Sequence, residues 1–171
     1  MMRVIKPSLV LLLVLGISSC AVRTASLRAQ FDKRLQQLEK EKDKLKKQTD
    51  PVSRTKTGIK ISEILLTLVS DAVRKGDLEQ MESRLDQYLD TIQDAHQTMI
   101  KTGRDAHKKP KGFKDLEIAL RRQVRQLDDI GQGLTFDQRE PVDKAKEHAA
   151  EIRDDLLKAL FGEQNAPARK G

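Results

Sequence analysis

Between Leu78 and Met99, seven side chains recur at steps of 3, 4, 3, 4, 3 and 4 residues: Leu78, Met81, Leu85, Tyr88, Ile92, Ala95 and Met99. A strand cannot use that spacing, because its side chains alternate faces with a period of two. A helix gathers all seven on one stripe, and a stripe of that length must be covered by other helices. The rest of the chain agrees. Of its 171 residues 37% are hydrophobic and 35% charged, with no Trp, one Tyr and four Phe. Ala, Leu, Glu, Asp, Lys, Arg and Gln dominate, and most of these lose little rotamer freedom in a helix. The expected class is all-α.

Three more segments carry a stripe of their own. Ile61, Ile64, Leu65, Leu68, Val69, Ala72 and Val73 form a wide apolar face, followed by Arg74-Lys75-Gly76, a basic last turn and a glycine stop. Asp77 then starts the Leu78 helix with Gln80 in capping-box register, and Gly103 closes it. Phe113, Leu116, Leu120, Val124, Leu127 and Ile130 define a third helix, broken by Gly131-Gln132-Gly133. Thr135 or Asp137 caps a fourth, with Pro141 in its first turn and a seam of Val142, Ala145, Ala149, Ile152, Leu156 and Ala159. Gly162 ends it. Short links between four amphipathic helices predict an antiparallel up-down four-helix bundle over residues 58–162, followed by a disordered tail over 163–171.

Upstream, residues 20–57 read as a charged helical stalk and linker. Phe31, Leu35, Leu38 and Leu45 lie on one narrow stripe, but charges fill nearly everything else from Asp32 to Lys47. Heptad spacing joins Phe31, Leu38 and Leu45, while the other seam position holds Arg34 and Glu41. A coiled coil wants both positions apolar, so any self-association through the stalk is expected to be weak. Asp50-Pro51 should end this helix, since proline disfavours helical geometry in the residue before it. Val52 to Thr57 reads as a polar linker.

The first 19 residues are different in kind. Arg3 and Lys6 precede an unbroken apolar run, Leu9 to Leu15, which leads through Gly16 to Ile17-Ser18-Ser19-Cys20. A basic n-region, an apolar h-region and small residues before a cut site describe a secretory signal peptide. The run is shorter than the roughly 20 apolar residues a bilayer span needs. Cys20 is the only cysteine. Ile17-Ser18-Ser19-Cys20 resembles the lipobox of bacterial lipoproteins, an aliphatic and two small residues ahead of an invariant cysteine. The resemblance implies a signal peptide over 1–19, a diacylglyceryl group on the Cys20 thiol and a chain held at a membrane of the cell envelope. By the same resemblance, Ala21 after the cysteine favours the periplasmic face of the outer membrane in a host with two membranes.

The rest of the sequence argues against chemistry. The residues three before His96, His107 and His148 are Gln93, Arg104 and Ala145, so no di-iron Glu-x-x-His pair exists. No nucleophile elbow, P-loop or dinucleotide fingerprint is present. We expect no catalytic residues, no metal and no cofactor. The net charge of +7 is uneven. Residues 20–57 hold 11 basic and 5 acidic groups, and residues 103–112 hold 4 and 1. Arg104, Lys108, Lys109 and Lys111 are the candidate contacts for a polyanion. Nucleic acid is not an expected partner, because stacking aromatics are missing. The sequence thus predicts a non-catalytic envelope scaffold or partner-binding module. The alternative is a protein that binds a small ligand or a polyanion such as anionic lipid or cell-wall polymer.

Overall fold

The computed structural model describes residues 18–162, with side chains from Arg28 onward. Most of the expected signal peptide and the whole of the expected tail lie outside the described residues. Among those described, the chain forms five helices and no strand: α1 (Ser18–Lys47), α2 (Pro51–Lys75), α3 (Leu78–Ile100), α4 (Phe113–Gln132) and α5 (Phe136–Phe161). None is long and apolar enough to cross a membrane. The chain divides into two compact units between Gln37 and Leu38. In the first, the described residues are helical. The second holds the end of α1 and all of α2 to α5.

Within the second unit, α2 packs most extensively on α3, and α4 on α5, while α2 also meets α4 and α3 meets α5. The contacts follow the stripes. Ile61, Leu65, Leu68, Val69, Met81, Leu85, Ile92, Met99, Leu116, Leu120, Leu127, Val142, Ala149, Ile152 and Leu156 are all buried. On α5 the buried set shifts slightly from the expected seam. Leu157 and Leu160 are inside, whereas Ala159 is half-buried.

The helix ends follow from local chemistry. Asp50 accepts a hydrogen bond from the Ser53 amide at 2.8 Å and Pro51 takes the first position of α2, so one dipeptide closes α1 and opens the next helix. Gly76 ends α2 at φ 70°, with the Asp77 amide reaching back to the Ala72 carbonyl at 3.0 Å. The Asp77 side chain in turn accepts from the Gln80 amide at 3.0 Å. Gly112, before α4, has φ 90°, and a Cβ there would lie 2.7 Å from the Met99 thioether. Only glycine fits. Thr135 precedes α5, so Pro141 is that helix's sixth residue rather than a member of its first turn.

One expectation about the upstream segment changes. Val52 to Thr57 is not a linker. It forms the opening turns of α2, with Thr55 and Thr57 buried. The three-and-four arithmetic missed it because the segment turns hydroxyls inward. Thr55 Oγ1 donates to the Pro51 carbonyl at 2.9 Å, and Thr57 Oγ1 to Gln48 Oε1 at 2.7 Å. The end of the stalk helix is also packed. Leu38 is fully buried, Lys42 donates to Gln87 Oε1 at 3.1 Å, and Arg54 donates to the Leu45 and Gln48 carbonyls and to Asp94 at 3.1 Å. At Gly58 the two main helices come close, since a Cβ there would stand 3.3 Å from Ala95 Cβ.

A fragment beginning at residue 58 would lose Thr55, Thr57 and Arg54. It should melt below one beginning at Leu38, as followed by helical circular dichroism. Leu120, fully buried on α4, should cost about 2–5 kcal/mol when truncated to Ala, read from urea unfolding.

Candidate functional site

Residues 101–112, between α3 and α4, carry the candidate polyanion contacts. The segment is built rather than loose. Asp105 accepts hydrogen bonds from the amides of His107 at 2.9 Å and Lys108 at 3.2 Å, and its carbonyl accepts from the Lys109 amide at 2.9 Å. These bonds, that from Lys108 foremost, hold the Asp105 carboxyl below the usual carboxylate range. Ala106 is buried beneath the turn. His107 Nδ1 lies 3.2 Å from the Leu160 carbonyl, which can only accept, so Nδ1 carries the proton and ties the segment to the end of α5.

The four candidate cations are all exposed, but they differ in their surroundings. Lys108 pairs with Asp105 at 3.6 Å. Arg104, Lys109 and Lys111 make no ion pair with any described residue, nor does Lys114 on the first turn of α4. Other surface cations are paired, as in Arg122–Glu63 at 3.1 Å, Lys146–Asp128 at 3.0 Å and Lys144–Glu140 at 2.7 Å, while Lys60, Lys101 and Arg125 make no ion pair among the described residues. The field of Arg104 and Lys111 reaches Asp50. The Asp50 carboxyl is lowered first by its hydrogen bonds from Ser53 and then by these two cations. The loop therefore stands beside the start of α2.

The buried polar groups are engaged with one another. Tyr88 on α3 donates to Gln123 Oε1 on α4 at 3.2 Å, Gln123 Nε2 donates to Ser62 Oγ on α2 at 2.7 Å, and Ser62 donates to the Ile59 carbonyl at 2.8 Å. Burial pushes the Tyr88 hydroxyl well above its usual range, so it remains a neutral donor. Glu117 on α4, 3% exposed, receives three hydrogen bonds from Arg121 at 2.8–3.1 Å and a fourth from Arg153 at 3.4 Å. Spacing held a hint of both groups. Gln123 falls in the register of Leu116, Leu120 and Leu127, and Glu117 follows Phe113 by four. A search for apolar residues alone passes over them.

The histidines do not converge with acids on a metal position, and among the described residues no cluster of metal-ligating groups occurs. His148 Nε2 meets Gln93 Oε1 at 3.1 Å, and its Nδ1 is 3.8 Å from Glu151. His96 is half-buried, and its Nε2 has no hydrogen-bond partner. Cys20 lies on the backbone of α1, and its side chain is outside the described set. Comparison with known protein families, with curated proteins and with solved structures gives no match.

Burial holds the His96 imidazole below its ordinary value of 6.5; His148 adds to this and Asp155 opposes it. The unfolded chain therefore takes up this proton near pH 6.5 while the folded chain does so only at lower pH. The stability His96 contributes is complete above that value and falls as pH drops through the window beneath it. His96→Gln should narrow the difference in urea midpoint between about pH 7.5 and about pH 5.5 relative to the parent chain. An unchanged difference would assign the slope to other groups.

Proposed function

We propose that this chain is a lipoprotein of the bacterial cell envelope, anchored through Cys20, which works without catalysis by presenting its basic loop to an anionic partner. The observation that carries the binding role is the set of three cations, Arg104, Lys109 and Lys111, that lack a carboxylate partner among the described residues. They stand on a segment fixed by Asp105, Ala106 and His107, so little of their backbone order has to be acquired on binding. The anchor rests on the lipobox resemblance. The non-catalytic reading is supported by where the buried polar groups go: Tyr88, Gln123 and Ser62 satisfy one another, and Glu117 is held by two arginines.

The arrangement we propose for α2 to α5 is an antiparallel up-down four-helix bundle. It is supported by the short turns after Lys75 and Gln132 and by the heavy contacts of α2 with α3 and α4 with α5. Such a bundle brings the start of α2, the end of α3, the start of α4 and the end of α5 to one end, with the basic loop across it.

Two measurements test this reading. Wild-type chain expressed in bacteria should take up labelled palmitate and partition with membranes, and Cys20→Ser should do neither. Equal partition of both forms without label would refute the anchor. For the loop, the full chain carrying Cys20→Ser should bind phosphatidylglycerol vesicles better than phosphatidylcholine vesicles. Binding should weaken as salt shortens the Debye length below about 8 Å. Changing Arg104, Lys109 and Lys111 together to Gln should remove the preference while leaving the melting temperature in place.

A further inference from the structure

A cleft of about 390 Å³ opens beside the loop, between the loop, the first two turns of α4 and the end of α5. That volume falls in the range of about 300–1,000 Å³ usual for small-molecule sites. Its walls are of two kinds. Ala106, Pro110, Ile118, Leu160 and Phe161 form an apolar surface, while Lys114 and Arg121 stand on α4 one turn to either side of Ile118. The described surface exposes four large apolar side chains, Ile100, Ile118, Phe136 and Phe161. Two of the four, Ile118 at 41% and Phe161 at 56% exposure, line this cleft.

The charge in the cleft has one sign left over. Glu117, the carboxylate among the lining residues, is saturated by Arg121 and Arg153, so two guanidiniums face one carboxylate. Lys114 adds a further positive charge without an ion pair among the described residues. His107 donates its Nδ1 proton to the Leu160 carbonyl, which leaves Nε2 without that bond. An apolar wall beside the unpaired Lys114, with the lining carboxylate already held by arginines, suits a molecule with one apolar tail and one anionic head.

We infer that this cleft binds a single-chain anionic amphiphile, a long-chain fatty carboxylate, with its tail on Ile118, Leu160 and Phe161 and its carboxylate on Lys114. The inference rests on the reading that the loop end is the binding end, and it names the ligand class there. Two attractions of different origin cooperate. The chain removes apolar surface from water, and the head forms a charge-assisted hydrogen bond with an ammonium that now faces only solvent.

The test uses the full chain with Cys20→Ser, free of detergent, and calorimetric titration with dodecanoate below its micellar concentration. Dodecanoate should bind saturably at one site per chain. Dodecyltrimethylammonium, with the same tail and the opposite head, and butanoate, with the same head and little tail, should each bind at least about tenfold more weakly. Lys114→Gln should weaken dodecanoate about tenfold, and Ile118→Asn should do the same. Both side chains are exposed, so the melting temperature, measured alongside, should hold. Lack of saturable dodecanoate binding, equal binding of the cationic twin, or full affinity in both variants would each overturn the inference. The Arg104, Lys109 and Lys111 triple variant separates the two claims, because none of these residues lines the cleft. Vesicle preference unchanged in that variant, with dodecanoate affinity intact, would overturn the polyanion reading alone. The converse, vesicle preference with no dodecanoate site, would overturn only the cleft.

Discussion

Ser62, Gln123 and Tyr88 form one hydrogen-bonded chain through the interior, and the register of three helices depends on it. Each group is buried, and a buried amide or hydroxyl without a partner costs roughly 1–3 kcal/mol. Sliding α4 by one turn against α2 or α3 would leave Gln123 with nothing to bond. Aliphatic contacts would not forbid that slip so sharply, because leucine packs on leucine in several registers. Gly58 against Ala95 adds a steric condition of the same kind, since the α2–α3 approach leaves no room for larger side chains. The apolar stripes bring the helices together, and these few polar and small residues decide how they sit.

That fixed register is what makes the loop end a defined surface. Gly112 turns the chain into α4 at a positive φ beside Met99, Asp105 closes the preceding turn, and His107 ties it to Leu160. Of the cations above this frame only Lys108 has an ion-pair partner, Asp105, while Arg104 and Lys111 act on Asp50 without an ion pair to it. Surfaces that neutralise themselves, such as the Lys144–Glu140 and Lys146–Asp128 pairs, have little field left for a partner. The loop keeps its own. A cluster of like charges also costs stability through self-repulsion, and here Asp105 and Asp50 offset it only in part.

Much of this was legible in the order of residues. The stripes of α2 to α5, the Gly76–Asp77 junction and the basic loop all follow from spacing and cap chemistry, because core-facing helices must repeat every three or four residues. What was not legible has a common cause. Thr55, Thr57, Ser62, Glu117 and Gln123 are polar residues on inward positions, and polarity reads as exposure until their partners are known. Some partners are remote, 61 residues apart for Gln123 and Ser62 and 36 for Glu117 and Arg153. The same blindness placed a linker at Val52 to Thr57, where hydroxyls bonded to Pro51 and Gln48 let the helix begin early. The cleft was hidden for another reason. Ile118 and Phe161 lie off the seams, and only the folded chain brings them to one place.

The clasp of Arg54 gives the molecule a mechanical character. Its guanidinium holds the Leu45 and Gln48 carbonyls at the end of α1 and Asp94 on α3 at once, while Lys42 reaches Gln87, about two turns before Asp94 on α3. A load on the end of α1 is therefore shared among several bonds to α2 and α3. Bonds loaded in parallel share the force and yield together, whereas bonds loaded in series open one at a time. The segment from Leu38 to Gln48 is thus fastened at two levels at once, and freeing it would require both sets of bonds to give way together.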